Sequence, residues 1–177
     1  LSETPPLNEE LVERVDQLGS TPISMRMYRH TSRNRDPLSG GGARISGGRW
    51  NPRGVPTIYL AQPHSTAVAE LRHLAEVTGV SYESLVHAGR MIHTVEVKEL
   101  RVLDLRDAVR LADVGLSADD LLDDDWSPCA AVGHAAWFLH FGGVLAQSAR
   151  DKSGAVLAAF EDRVESELVC VESTPIE

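Results

Sequence analysis

The sequence predicts a mixed α/β domain in which largely antiparallel sheets are flanked by helices. Three observations carry that reading. Six or seven short segments are rich in branched residues, helical periodicity fills several of the stretches between them, and the two do not alternate as a doubly wound parallel sheet requires. With 177 residues, 42% of them hydrophobic and 24% charged, the chain reads as one domain over residues 1–177 that buries its core without disulfides or a structural metal.

Taken in order, Pro5-Pro6 introduces an amphipathic helix with Leu7, Leu11, Val15 and Leu18 on one face, so residues 1–19 form an N-terminal packing helix that Gly19 ends. Met25 to His30 reads as a strand. A polar, glycine-rich loop, Thr31 to Gly48, leads to Arg49-Trp50-Asn51-Pro52 and a second strand from Thr57 to Leu60. A loop of that length inside a compact domain points to function. Pro63 to Val77 is helical, with Ala67, Leu71, Leu74 and Ala75 at helical spacing and Glu70 at the edge of that face. Ser81 caps a short helix to His87. Met91 to Val97 and Val102 to Leu105 read as two strands, and the acidic stretch Asp113 to Asp125 as loop and short helix. Ser127-Pro128 supplies an N-cap and a first-turn proline for a helix from Cys129 to Phe141, stopped at Gly142-Gly143. Val144 to Ala146, Ala155 to Phe160 and Leu168 to Val171 complete the strands.

Composition excludes several function classes. No apolar run approaches the ~18 residues of a membrane span, and Leu1 to Pro6 has neither the basic nor the apolar part of a signal peptide, so a cytoplasmic location is expected. Cys129 and Cys170 form no CxxC pattern, which suits buried thiols in a reducing compartment. The net charge of −9 argues against wholesale nucleic-acid binding. Arg26 to Arg53, however, holds seven arginines against one acid, Asp36, a local net of +6 in a chain that is otherwise −15. Arginine forks on a glycine-rich loop suit a phosphorylated small molecule, although a solvated basic loop has the same composition. Trp50 is read either as a ring that flanks a base or as core. Ser127 either caps its helix, binds an anion at the helix N-terminus, or does both. Neither His134 with His140 nor His87 with His93 has the i, i+4 spacing of helical metal ligands. Gly40-Gly41-Gly42 and Gly47-Gly48 do not spell GxGxxG, which disfavours the dinucleotide fold.

The succession Tyr28-Arg29, Gly47-Gly48-Arg49-Trp50-Asn51-Pro52, Ile58-Tyr59-Leu60-Ala61, Ala69-Glu70, Asp125-Trp126-Ser127 and Gly133-His134-Ala135-Ala136-Trp137 closely resembles the RES domain family from about Met27 to Phe160. Members of that family are the toxins of Xre-RES toxin–antitoxin modules. The resemblance implies a fold similar to ADP-ribosyltransferases and an attack on NAD+, either phosphorolysis with inorganic phosphate as co-substrate or transfer of ADP-ribose to a protein. It implies no metal and no prosthetic group. The family's named arginine, glutamate and serine match Arg29, Glu70 and Ser127, expected to be catalytic; Arg49 and Tyr59 match further pocket residues, and Trp50 stands beside them. His30 follows Arg29 where relatives can carry a tyrosine, so its part in substrate binding is open. The implied partner is an Xre-like helix-turn-helix antitoxin protein in a hetero-oligomer. Arginine to hold phosphates and a carboxylate to face an oxocarbenium-like ribose agree with the residue-level reading. A non-catalytic nucleotide-binding module is the alternative from another class.

Overall fold

The computed structural model describes residues 4–177. Asn8, not a proline, caps the first helix, α1 (Glu9–Leu18): its side chain accepts a hydrogen bond from the Leu11 N–H at 3.2 Å, and Gly19 closes the far end at φ 69°. Strand β1 (Thr21–Ser32) is longer than the expected Met25–His30, and the loop that follows contains a short helix, α2 (Gly41–Ser46). Next come β2 (Thr57–Gln62), α3 (His64–Thr78) and α4 (Tyr82–His87), the last capped by Ser81 as expected. Strand β3 (Arg90–Asp104), α5 (Ala108–Asp113), α6 (Ser127–Phe138), β4 (Gly143–Gln147), β5 (Ala155–Phe160) and β6 (Leu168–Pro175) complete the chain.

The strand order is β1-β2-β5-β4-β3-β6, and β1 also pairs with β3, so five strands close into a barrel and β6 extends the sheet outside it. Among the described residues only β3 and β4 pair in parallel. The closure is uneven. The β1–β3 ladder runs from Thr21↔Val102 to Ser32↔Arg90, whereas β1 meets β2 at the single pair Tyr28↔Ala61. This seam is the place where the barrel wall stands open.

The two strands expected at 91–97 and 102–105 are one strand with a bulge. Between Ile23↔Leu100 and Met25↔Val97, β1 advances two residues and β3 three, and Glu99 takes up the extra residue at φ 52°. The Ser24 hydroxyl accepts the Glu99 N–H at 2.9 Å. That insertion lets Val95 and Val97 on one side and Leu100 and Val102 on the other all face the barrel interior, where they meet Met27, Ile58, Leu60, Leu145 and Leu157. A simple alternation of apolar residues breaks at this point, which is why the sequence reads as two strands.

The outer face of β4 and β5 carries Val144, Ala146, Ala158 and Phe160 into a second core with Val15 of α1 and Cys129, Val132, Ala135 and Ala136 of α6. The polar stretch after α5 forms turns, not a helix, and is anchored in this core by Val114, Leu116 and Leu121. Among the described residues no helix is long and apolar enough to cross a membrane.

Candidate active site

A cavity of about 630 Å³ lies at the seam. Strand β1 supplies Tyr28, Arg29 and His30, β2 supplies Tyr59, and α3 lays Glu70, His73 and Leu74 along it. The Gly47–Trp50 segment, Trp126 and the β4–β5 turn with Gln147 and Arg150 close the remainder. The expected residues Arg29, His30, Arg49, Trp50, Tyr59 and Glu70 therefore converge on one cavity from separate elements.

Glu70 is half-buried, and burial pushes its carboxyl above the usual carboxylate range, against the pull of Arg150, the Ser148 hydroxyl, His73 and Arg49. The Ser148 hydroxyl stands 3.4 Å from Glu70 Oε1. A carboxylate in this setting has lost much of its water and is more responsive to a cation brought beside it. Arg29 donates from Nη1 to the Pro37 carbonyl at 2.6 Å, and burial draws its pKa down while Asp36 and Glu161 support the charge. Arg49 donates from Nη1 to the carbonyls of Asp120 (3.1 Å) and Asp123 (3.0 Å), tying the glycine-rich segment to the acidic loop.

The GGRWN block is a locked turn. Gly48 and Asn51 form an isolated bridge, and the buried Asn51 amide donates to the carbonyls of Ala43, Pro52 and Val55. The Tyr59 hydroxyl donates to Asn51 Oδ1 at 2.7 Å and accepts the Trp50 N–H at 2.9 Å. Burial raises the Tyr59 pKa further, so it stays a neutral phenol that fixes the turn while its ring lines the cavity. A Cβ at position 48 would stand 2.5 Å from the Tyr59 hydroxyl, so glycine is required there.

Trp50 takes one of its two expected readings, and the expected capping role of Ser127 changes. Trp50 is 2% exposed and packs in the core beside Val55 and Phe160, the second of its two readings, while also counting among the residues that line the cavity; the exposed ring at the mouth is Trp126, 5.6 Å from the Arg49 guanidinium. Ser127 is not the N-cap of α6. Trp126 holds that position without a side-chain hydrogen bond, and the Ser127 N–H donates to Asp125 Oδ1 at 3.0 Å. One of the N–H groups at the start of α6 is thus already met by a carboxylate. Ser127 also lines a neighbouring cavity of about 540 Å³ with Arg53 and His134, across a wall of Gly47, Gly48, Asp124 and Trp126 shared with the first.

His30 lines the main cavity as a neutral ring: burial, with Arg90, Arg29 and His93 nearby, lowers its pKa to about 4, and its Nδ1 has no hydrogen-bond partner among the described residues. The sequence reading missed Trp126, Ser148 and Arg150. The last two sit in a short polar turn between the apolar runs Val144–Ala146 and Ala155–Phe160, and that hairpin was the available signal. Among the described residues no cluster of His, Cys, Asp or Glu has the makings of a metal site.

A small, partly closed barrel whose open seam gathers arginines around a half-buried carboxylate defines a protein with a pocket suited to an anionic small molecule. The RES domain profile matches residues 25–176, and the chain belongs to the RES domain family. It is 45% identical over 158 residues to the NAD(+) phosphorylase MbcT of Mycobacterium tuberculosis and to that of Mycobacterium bovis, a match covering 89% of this chain and 84% of the relative in each case. The crystal structure of the M. tuberculosis MbcT-MbcA toxin-antitoxin complex contains a chain that superposes with a TM-score of 0.89 at 42% identity, over 97% of this chain and 94% of that one.

Proposed function

We propose that the protein is the toxin of a toxin–antitoxin module and degrades NAD+ by phosphorolysis of the nicotinamide–ribose bond, with inorganic phosphate as the acceptor. The observation that carries this reading is the half-buried Glu70 carboxylate in a cavity lined by Arg29, Arg49 and Arg150, in a chain 45% identical to an NAD(+) phosphorylase.

Phosphate attacks the anomeric carbon of the ribose that bears nicotinamide. As the new C–O bond forms, the C–N bond breaks and its electron pair leaves with nicotinamide, which converts a pyridinium into a neutral amide-bearing ring. Monohydrogen phosphate brings an anionic oxygen, so no base is needed to create the nucleophile. Between these two bonds the ribose carries oxocarbenium character, and Glu70 stabilises that charge. Arg29 holds phosphate oxygens of the dinucleotide, and Arg49 holds the glycine-rich segment and the Trp126 ring in place. His30, neutral and without a hydrogen-bond partner at Nδ1, takes a polar group of the substrate. Ser127 acts from the neighbouring cavity on a part of the substrate remote from Glu70. The partner that restrains the toxin is a helix-turn-helix antitoxin protein.

The test is incubation of pure protein with NAD+ in phosphate and in phosphate-free buffer, followed by phosphorus NMR of the products. Phosphate-dependent loss of NAD+ with phosphate on the anomeric carbon is expected. Equal turnover without phosphate, giving plain ADP-ribose, identifies a hydrolase instead, and ADP-ribose attached to protein identifies a transferase.

A further inference from the structure

The three arginines of the main cavity are not equivalent. Arg29 spends an Nη1 donor on the Pro37 carbonyl, and Arg49 spends one on two carbonyls of the acidic loop. Among the described residues the Arg150 guanidinium makes no hydrogen bond or ion pair; it is exposed at the cavity rim with its fork of donors free.

Its backbone, by contrast, is held. The Ser148 hydroxyl oxygen accepts the N–H of Arg150 (3.1 Å) and of Asp151 (3.2 Å) and is itself 3.4 Å from Glu70 Oε1. Thr66, at the start of α3, donates to Asp151 Oδ2 at 2.8 Å, which fastens the same turn to the helix that carries Glu70. One buried hydroxyl therefore joins the Glu70 carboxylate to the backbone of a free arginine, so the fold fixes where that side chain begins and keeps its charge within the field of Glu70.

We infer that Arg150 is the residue that receives the inorganic phosphate and so sets the choice of phosphate over water as acceptor. The inference rests on the phosphorolysis reading above. Inorganic phosphate is an anionic nucleophile, and it must approach a site where Glu70 is already negative. A cation beside that carboxylate removes the repulsion, and a guanidinium fork with no other partner pairs two phosphate oxygens at once. Water has no charge to be captured and gains nothing from Arg150. When phosphate leaves as part of the product, Arg150 returns to solvent and to the field of Glu70. Ser148 is a positioning residue: it touches neither substrate nor phosphate and acts by holding the turn.

The test is steady-state kinetics of wild type, Arg150→Gln and Arg150→Lys, with NAD+ and phosphate varied separately, product analysis by phosphorus NMR and thermal melts as the folding check. Arg150→Gln should raise the KM for phosphate about tenfold or more, shift the KM for NAD+ less than about twofold, and enrich plain ADP-ribose among the products. Arg150→Lys should fall between the two, because it keeps the charge and loses the fork. An unchanged KM for phosphate in folded Arg150→Gln overturns the assignment, and so do equal rises in both KM values, which place Arg150 on the dinucleotide. If wild type itself turns over NAD+ independently of phosphate, the phosphorolysis reading falls and this inference with it. Failure of the variants alone, with a phosphate-dependent wild type, leaves that reading intact.

Discussion

At the scale of single residues, Glu70 combines two opposed demands. Burial raises its pKa, so the folded state holds the carboxyl proton more tightly than the unfolded chain does. Its contribution to stability consequently falls as pH rises through the interval between the ordinary carboxylate value, about 4.3, and the higher folded one. Catalysis runs the other way, because only the ionised form stabilises a developing cation. We expect Glu70→Gln to lower kcat about 10²-fold or more while leaving the melting temperature unchanged or higher at neutral pH. The pH–rate profile of wild type should lose activity on the acid side at a pH above the ordinary carboxylate value. A normal rate in the folded variant removes Glu70 from the chemistry. Ser127→Ala belongs at this scale as well. Since Trp126 occupies the N-cap and Asp125 serves the Ser127 N–H, stability should change by less than about 0.5 kcal/mol, so any kinetic loss reports substrate contact directly. A large drop in melting temperature instead restores Ser127 to a structural role.

Among the elements, α6 and the GGRWN turn fit each other through a missing side chain. A Cβ on Gly133 would lie 1.8 Å from the Trp50 carbonyl oxygen, so the helix reaches its place in the core only because position 133 is glycine. Gly133→Ala must push the helix off the turn, with an expected loss of about 3 kcal/mol and a melting temperature lower by about 6–12 °C. A melt within about 2 °C of wild type shows that the packing yields. Neither Gly133 nor Gly48, which makes its own close approach to Tyr59, carries a sequence signal beyond its motif, because a close approach is visible only once both partners are placed. Local patterns did reveal α3, the Ser81-capped helix, β4 and β5, where period and caps coincide. They failed at β3, where a bulge reverses the alternation, and left Trp50 with two readings, because its burial depends on α1 and α6 packing over a loop. They also failed at Ser127, because whether a serine caps a helix or begins it is settled by one residue of register. The convergence of Arg29, Tyr59 and Glu70 was accessible through the family motifs; that of Arg150 was not, since the hairpin that carries it is common in form.

For the whole molecule, charge is the organising quantity. Arg29, Arg49 and Arg150 line the cavity together with Glu70 and Asp124, so it holds more cationic than anionic side chains in a chain whose net charge is −9. An inhibitor that places a carboxylate among these arginines gains both steering and pairing, and it displaces the substrate in doing so. We expect a cognate antitoxin to inhibit competitively with NAD+ and to associate more slowly as salt is raised, measured by initial rates and by association kinetics. Inhibition unaffected by NAD+ concentration points to a partner seated elsewhere.

The seam between β1 and β2 leaves a strand ladder unfinished. Strand β5 is laddered along both edges, to β2 and to β4, whereas β2 has one complete edge and, on the other, only the Tyr28↔Ala61 pair. Peptide N–H groups without a ladder partner trade their protons with water far faster than protected ones. In deuterated solvent, segments covering residues 57–62 should therefore take up label sooner than those covering 155–160, and saturating ADP-ribose should slow the first group while leaving the second alone. Uptake that is equally slow in both without ligand means that the seam is shut on that timescale. On that edge of β2 the Thr57 N–H donates to the Gly40 carbonyl at 3.4 Å and Ala61 pairs with Tyr28, so the unladdered stretch between them, which carries Tyr59 on the cavity, is where binding can add the most order.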